Sequence, residues 1–90
     1  MAVKVIRFSQ HARDQMPDRG ATEAEVTTAI RSGERLGAKR GRVAFRKNFS
    51  FEGQWKGRYY ETKQVVPIVS EEAERLIVVT VYVFYFGGGR

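Results

Sequence analysis

Histidine occurs once in the chain, at His11, inside the stretch FSQHARDQMPDRGATEAEV that covers residues 8 to 26. An imidazole titrates near neutral pH, so one such ring can exchange a proton with a substrate if the fold aims it there. His11 lies in what reads as the first turn of a short helix. The positive end of the helix dipole disfavours the imidazolium there and favours the neutral ring. Two readings stay open: a proton-transfer group, or a helix residue held at a sheet edge by a bond to backbone. Arg19 is divided in the same way, since it can hold a carbonyl or pair with Asp14. His11 with Asp14 three residues on is too poor a donor set for a metal. No phosphate loop, nucleophile elbow or metal-ligand cluster occurs, so neither metal nor cofactor is expected. With no cysteine, a thiolate zinc site, a disulfide and a cysteine nucleophile are excluded.

The other chemistry-bearing groups are cations and aromatics. The formal charge is +6 and the pI about 10.1. Such a balance favours an acidic partner: nucleic acid, an anionic surface or an acidic protein. The charge is also clustered. Arg35, Lys39, Arg40, Arg42, Arg46 and Lys47 follow one another with no acidic residue between them.

Ninety residues make one domain with one modest core, expected over 1–86, followed by a loose glycine-rich tail at 87–90. The apolar run near the start is too short for a signal peptide. LIVVTVYVFYF, residues 76 to 86, is too short for a helical membrane span and is rich in β-branched and aromatic residues, so it reads as a buried strand. The expectation is a cytoplasmic protein with no membrane contact.

The elements that must position these groups follow from punctuation and period. VKVIRF, 3 to 8, reads as a strand. Ser9 is a good N-cap for a helix ending near Met16, because Pro17 opposes its continuation and Gly20 suits a C-cap. Thr22 and Glu25 have capping-box spacing, so a second helix runs from Glu23 to about Ser32 and buries Val26, Ala29 and Ile30. Gly41–Phe51 alternates as a strand, and Glu52-Gly53-Gln54 reads as its hairpin turn. Trp55–Val69 is extended, with Gly57 a bulge and Pro67 demanding an edge or end. Leu76–Phe86 is apolar on both faces and therefore central. The fold class is α+β: two N-terminal helices packed on one face of a three- to five-stranded, mainly antiparallel sheet, in the order β-α-α-β-β-β(-β).

No element is left to cover the second face of that sheet. Ile77, Val79, Val81 and Val83 suit the helices, which puts Thr80, Tyr82 and Phe84 on the open side. Arg42, Arg46 and Asn48 are expected there too, with Tyr59 and Lys63 outward from the neighbouring strand. Cations neutralise phosphates and aromatic faces stack on unpaired bases, so this mixture suits single-stranded RNA better than a duplex groove. A solvated basic face with packed tyrosines is the plainer reading.

HARDQMPDRGATEAEV resembles the opening motif H-A-x-x-R-M-x-x-R-G-[IV]-[ST]-x-x-x-V of a widespread bacterial family, the domain of unknown function numbered 4258. The matching residues are His11, Ala12, Met16, Arg19, Gly20, Thr22 and Val26, and VVTVYVF at the far end resembles the family's final strand. Gln15 stands where the family tends to have arginine, and Ala21 replaces a larger aliphatic. The resemblance implies a compact relative of the RelE-type bacterial ribonuclease fold, a group that includes toxins cutting RNA without metal.

Such cleavage needs a base for the 2′-hydroxyl proton, an acid for the leaving oxygen and a cation for the charged phosphorane. The candidates are His11 or Lys63 as base, Tyr82 or Tyr59 as acid, and Arg46 for the phosphate. Lys39, Arg40, Arg42, Lys47 and Tyr59 are candidate RNA contacts. The expected partner is RNA, with an acidic antitoxin-like protein as a second. A catalytically silent binding module and a protein-interaction module remain as alternatives.

Overall fold

Arg58–Glu71, and not Leu76–Phe86 as expected, is the central strand of the sheet, since Leu76–Phe86 has only the short Val5–Phe8 on its outer side, as far as Val78. The computed structural model describes residues 4–88, in the order β1 (Val5–Phe8), α1 (Gln10–Arg19), α2 (Glu23–Ser32), β2 (Glu34–Gly37), β3 (Val43–Trp55), β4 (Arg58–Glu71) and β5 (Arg75–Phe86). The sheet has the spatial order β1-β5-β4-β3-β2. β1 runs parallel to β5, and every other pairing is antiparallel. Val3, placed in the first strand by its pattern, lies outside the described residues, as do Gly89 and Arg90 of the glycine-rich tail. The Gly87 carbonyl accepts a hydrogen bond from the Glu61 amide.

Both helices lie on one sheet face and are capped as their sequences require. The Ser9 side chain accepts from the Ala12 amide, and Gly20 closes α1 in the left-handed conformation, φ 78°. Only glycine fits there for a second reason. A Cβ would run into the Tyr85 hydroxyl and come within 2.9 Å of the Trp55 ring. Thr22 and Glu25 form the full capping box at the start of α2. Ala12 and Met16 from α1, with Val26 and Ile30 from α2, pack on Val65, Val69, Val78 and Val81.

Five local expectations are corrected. α1 does not stop at Met16 but continues through Pro17 to Arg19. Pro17 falls in the last turn, which is closed beyond it by bonds from the Gly20 and Ala21 amides to the Pro17 and Met16 carbonyls. The β3–β4 turn is at Lys56-Gly57, not at Glu52-Gly53-Gln54. Both turn residues have positive φ, 52° and 85°, as a two-residue hairpin requires. The irregularity lies instead between Ser50 and Gly53, where the register shifts by one. Pro67 is not at an edge. It is buried in β4 between β3 and β5, and the β3–β4 ladder skips Phe45 and Arg46 opposite it, where an amide donor is lost. In β5 a register shift opposite Ile68/Val69 inverts the phase, so Leu76 and Val78 face the helices before it and Val81 and Val83 after it. The early half of the expected pattern, with Ile77 and Val79 inward, is therefore reversed. Lastly, Lys63 does not face outward.

Lys63 is 7% exposed beneath the helices. Its ammonium donates to the Gly20 carbonyl at 2.8 Å and meets Glu25 Oε2 at 2.8 Å, while the other Glu25 oxygen accepts from the Thr22 amide. One buried cation thus ties the α1–α2 turn to the middle of the sheet. Lys63→Met should lower unfolding free energy in urea by about 2–3 kcal/mol, because the half-buried Glu25 carboxylate and the Gly20 carbonyl both lose the buried ammonium.

Tyr85 anchors the same turn. Its hydroxyl donates to the Arg19 carbonyl at 2.9 Å, and its ring stacks on Trp55 with centroids 4.9 Å apart. Burial first, and the Glu25 charge second, push its phenol above the ordinary value of 10.0. The folded state therefore holds this proton more tightly than the unfolded chain. Its contribution is complete below pH 10 and is lost as pH rises through the folded value. The melting temperature should fall between pH 9 and pH 11, and by less in Tyr85→Phe.

Candidate nucleic-acid interface

β1 pairs with β5 only as far as Val78, so the outer edge of β5 needs another partner beyond it. α1 supplies one with side chains. The Ser9 amide donates to the Val78 carbonyl, and the Ser9 hydroxyl to the Val79 carbonyl at 3.4 Å. Gln15 Oε1 accepts from the Val81 amide at 2.9 Å, and Arg19 Nη1 donates to the Val81 carbonyl at 2.7 Å. Arg19 thus takes the carbonyl-holding role.

His11 is explained by the same set. Its Nε2 lies 2.9 Å from Gln15 Nε2. The Gln15 oxygen is committed to Val81, so its amide nitrogen is the donor and the imidazole accepts, with the ring proton on Nδ1. The ring is exposed on α1 and orients Gln15, which in turn completes the sheet edge.

On the far side of the sheet, Tyr82, Phe84 and Phe86 stand exposed. Tyr82 and Phe84 are stacked with centroids 6.4 Å apart. Arg19 reaches round the edge, its guanidinium 5.5 Å from the Tyr82 ring centre. Residues 38–42 fold back over this face. Arg40 and Gly41 both take left-handed backbone there, φ 63° and 71°, which reverses the chain between β2 and β3. The result is a concavity of about 330 Å³ walled by Lys39, Arg40, Arg42, Ile68, Thr80 and Tyr82. None of its three cations meets a carboxylate at ion-pair distance among the described residues.

The candidates are thus divided. Lys39, Arg40, Arg42 and Tyr82 come together. Arg46 is on the same sheet face but is held by Glu34, its Nε 3.1 Å from the carboxylate. Lys47 is opposite Val65, on the helix-covered face, and Lys63 is buried on that face. Tyr59 is exposed at the hairpin end of the sheet, and His11 is on α1. The pattern put Thr80 on the open side but did not reveal Ile68 as a wall, or the return of residues 38–42. The glycines at 33, 37 and 41 were the available cue to a short strand and a tight return.

A second groove, near the end of α2, is lined by Lys4, Arg31, Arg35, Phe45 and Glu71 among others. It suits an anion less well. Arg35 donates to both Glu71 oxygens, at 3.0 and 2.9 Å, and this contact holds the carboxyl below and the guanidinium above their ordinary values. Among the described residues no three His, Cys, Asp or Glu side chains gather as a metal site, and no helix is long and apolar enough to cross a membrane.

Gln15→Ala should cost about 1–2 kcal/mol in urea unfolding by orphaning the Val81 amide. His11→Ala, at an exposed position, should stay within about 0.5 kcal/mol of wild type.

No curated protein and no solved structure matches the chain significantly. A family model does match, over residues 8–83, from the last residue of β1 into β5, and so takes in the α1 contacts and the concavity alike. The chain belongs to the family described as Domain of unknown function (DUF4258).

Proposed function

We propose that this chain binds single-stranded RNA across the open face of its sheet, and that metal-independent cleavage of the RelE-like kind is the activity this site would serve. The observation that carries the reading is the placement of Lys39, Arg40 and Arg42, free of carboxylates among the described residues, around Tyr82. Cations in that arrangement hold a backbone phosphate. The exposed Tyr82 and Phe84 rings then offer π-faces to the adjoining bases. Bases in a duplex are already stacked and cannot use them, which favours an unpaired strand.

Cleavage would draw on the same groups. Lys39 and Tyr82 are the proton-exchanging side chains of the concavity, and Arg40 and Arg42 supply bidentate phosphate contact. The non-catalytic alternative is favoured by one observation: His11, the group best suited to proton transfer at neutral pH, bonds Gln15 on α1. An acidic, antitoxin-like protein would compete for the same cations.

The test is fluorescence anisotropy with mixed-sequence single-stranded RNA in EDTA, at two salt concentrations, with the products run on a gel. Arg40→Ala and Arg42→Ala should each weaken binding and reduce the salt slope by about one. Tyr82→Ala should cost about 1–3 kcal/mol of affinity. His11→Ala and folded Lys63→Met should bind as wild type. No binding at low salt, or equal losses on duplex and single strand, would sink the proposal. Binding without cut products would leave a binding module.

A further inference from the structure

The edge of β5 beyond Val81 is unused. Val81 turns both backbone groups outward to α1. The β4–β5 register is unbroken from Thr80 to Phe86, so Val83 and Tyr85 turn their N–H and C=O the same way. No described element meets them. The segment from Leu76 to Phe86 also carries no charged residue. Natural edges are usually blunted by charge or shortness. The opposite edge of this sheet is blunted: β2 has four residues and includes Glu34 and Arg35, and β3, which runs on past it, carries Lys47 and Glu52 and a register irregularity between Ser50 and Gly53.

We infer that two copies of this chain pair antiparallel through the free edge of β5, about a two-fold axis at Phe84. The register follows from the backbone. Centred on Phe84, Val83 lies opposite the partner's Tyr85, and the two exchange both outward hydrogen bonds. Centring on Val83 would bring the partner's Tyr85 against Val81, whose groups are already bonded to Gln15 and Arg19. Centring on Tyr85 would set the partner's Gly87, at φ 74°, opposite Val83, where the strand has ended.

The chosen register also clears α1. The partner's strand ends at Phe86 opposite Tyr82, one residue short of Val81. Its Gly87 and Gly88 then take positive φ, and the Gly87 carbonyl turns to the Glu61 amide on β4, away from the edge. Tyr82, Phe84 and Phe86, 45%, 50% and 42% exposed in one copy, become one ladder: Phe84 beside the partner's Phe84, and Tyr82 beside the partner's Phe86. An uncharged, self-complementary strand is the occupant for which no like charges oppose, even between chains of +6. This pairing does not depend on the RNA reading and is measured without RNA.

Sedimentation of the full chain at micromolar concentration should show a dimer. Phe84→Lys places two ammonium groups at the axis and should weaken the dimer at least tenfold. A cysteine pair tests the register, since the chain has no native cysteine. Residue 84 would face its own copy as a non-hydrogen-bonded pair, with Cα atoms about 4.5 Å apart, within disulfide reach. Residue 86 would lie about 13 Å from its copy along the strands, out of reach. Phe84→Cys should therefore cross-link under mild oxidation and Phe86→Cys should not. A wild-type monomer throughout, or equal cross-linking of the two variants, would overturn the proposal.

Discussion

Val81 has no strand to bond on its outer side, and the whole arrangement depends on what α1 does about this. A backbone amide and carbonyl at a sheet edge must be paired or solvated. Gln15 and Arg19, one helical turn apart, close both groups and fix α1 alongside β5. Once α1 is there, Ala12 and Met16 reach the core, Gly20 sits under Tyr85, and α2 starts over Lys63. Tyr82, the next residue along β5, is turned to the other face with Arg19 against its ring. The helix that completes the sheet edge thus also sets one boundary of the open face. His11 belongs to this arrangement through Gln15, which accounts for its place in the helix without requiring that it meet a substrate.

Three groups of cations differ in their physics. Lys63 is buried, with its charge met by Glu25 and the Gly20 carbonyl. Such a pair adds less net stability than its short contacts suggest, since both groups were well solvated before folding, but it allows only one seating of the α1–α2 turn. Arg13, Arg35, Arg46 and Arg75 each meet a carboxylate at the surface. Lys39, Arg40 and Arg42 meet none among the described residues and share one concavity. The net charge of the chain is therefore not spread evenly in effect. Its uncompensated part includes the place where residues 38–42 return over the sheet.

The fold class was legible because it rests on strong local signals. Thr22 with Glu25 marked the start of α2, Val26, Ala29 and Ile30 marked its buried face, and the β-branched run before Phe86 marked a strand, though not its place, since β4 is the central one. What could not be read depends on partners distant in sequence. A bulge in β5 shows only against Ile68 and Val69, and without it the phase of Leu76–Val79 comes out inverted. Pro67 is tolerated inside the sheet because its missing donor falls on a stretch of β3 that leaves the ladder, a fact about Phe45 and Arg46. Lys63 reads as a surface residue until α2 brings Glu25 over it. Of the candidate site, Lys39, Arg40, Arg42 and Tyr82 were legible by charge and strand phase. Their convergence was not, since it rests on two left-handed residues in the return.

That return bears on the proposed function. Arginine at φ 63° is an unfavourable choice where glycine follows at φ 71° and could have taken both positions. A side chain kept at such a position costs backbone energy that packing does not recover, for Arg40 is exposed and bonds no carboxylate among the described residues. The same holds for the rings across the sheet: Tyr82, Phe84 and Phe86 leave apolar surface in water where smaller polar residues would serve a solvated face. Strained cation and exposed aromatic stand on the one face that no helix covers. Neither contributes to the fold as the helices and Lys63 do, and on the proposed readings an anion with flat, unpaired rings, or a second sheet edge, would offset both.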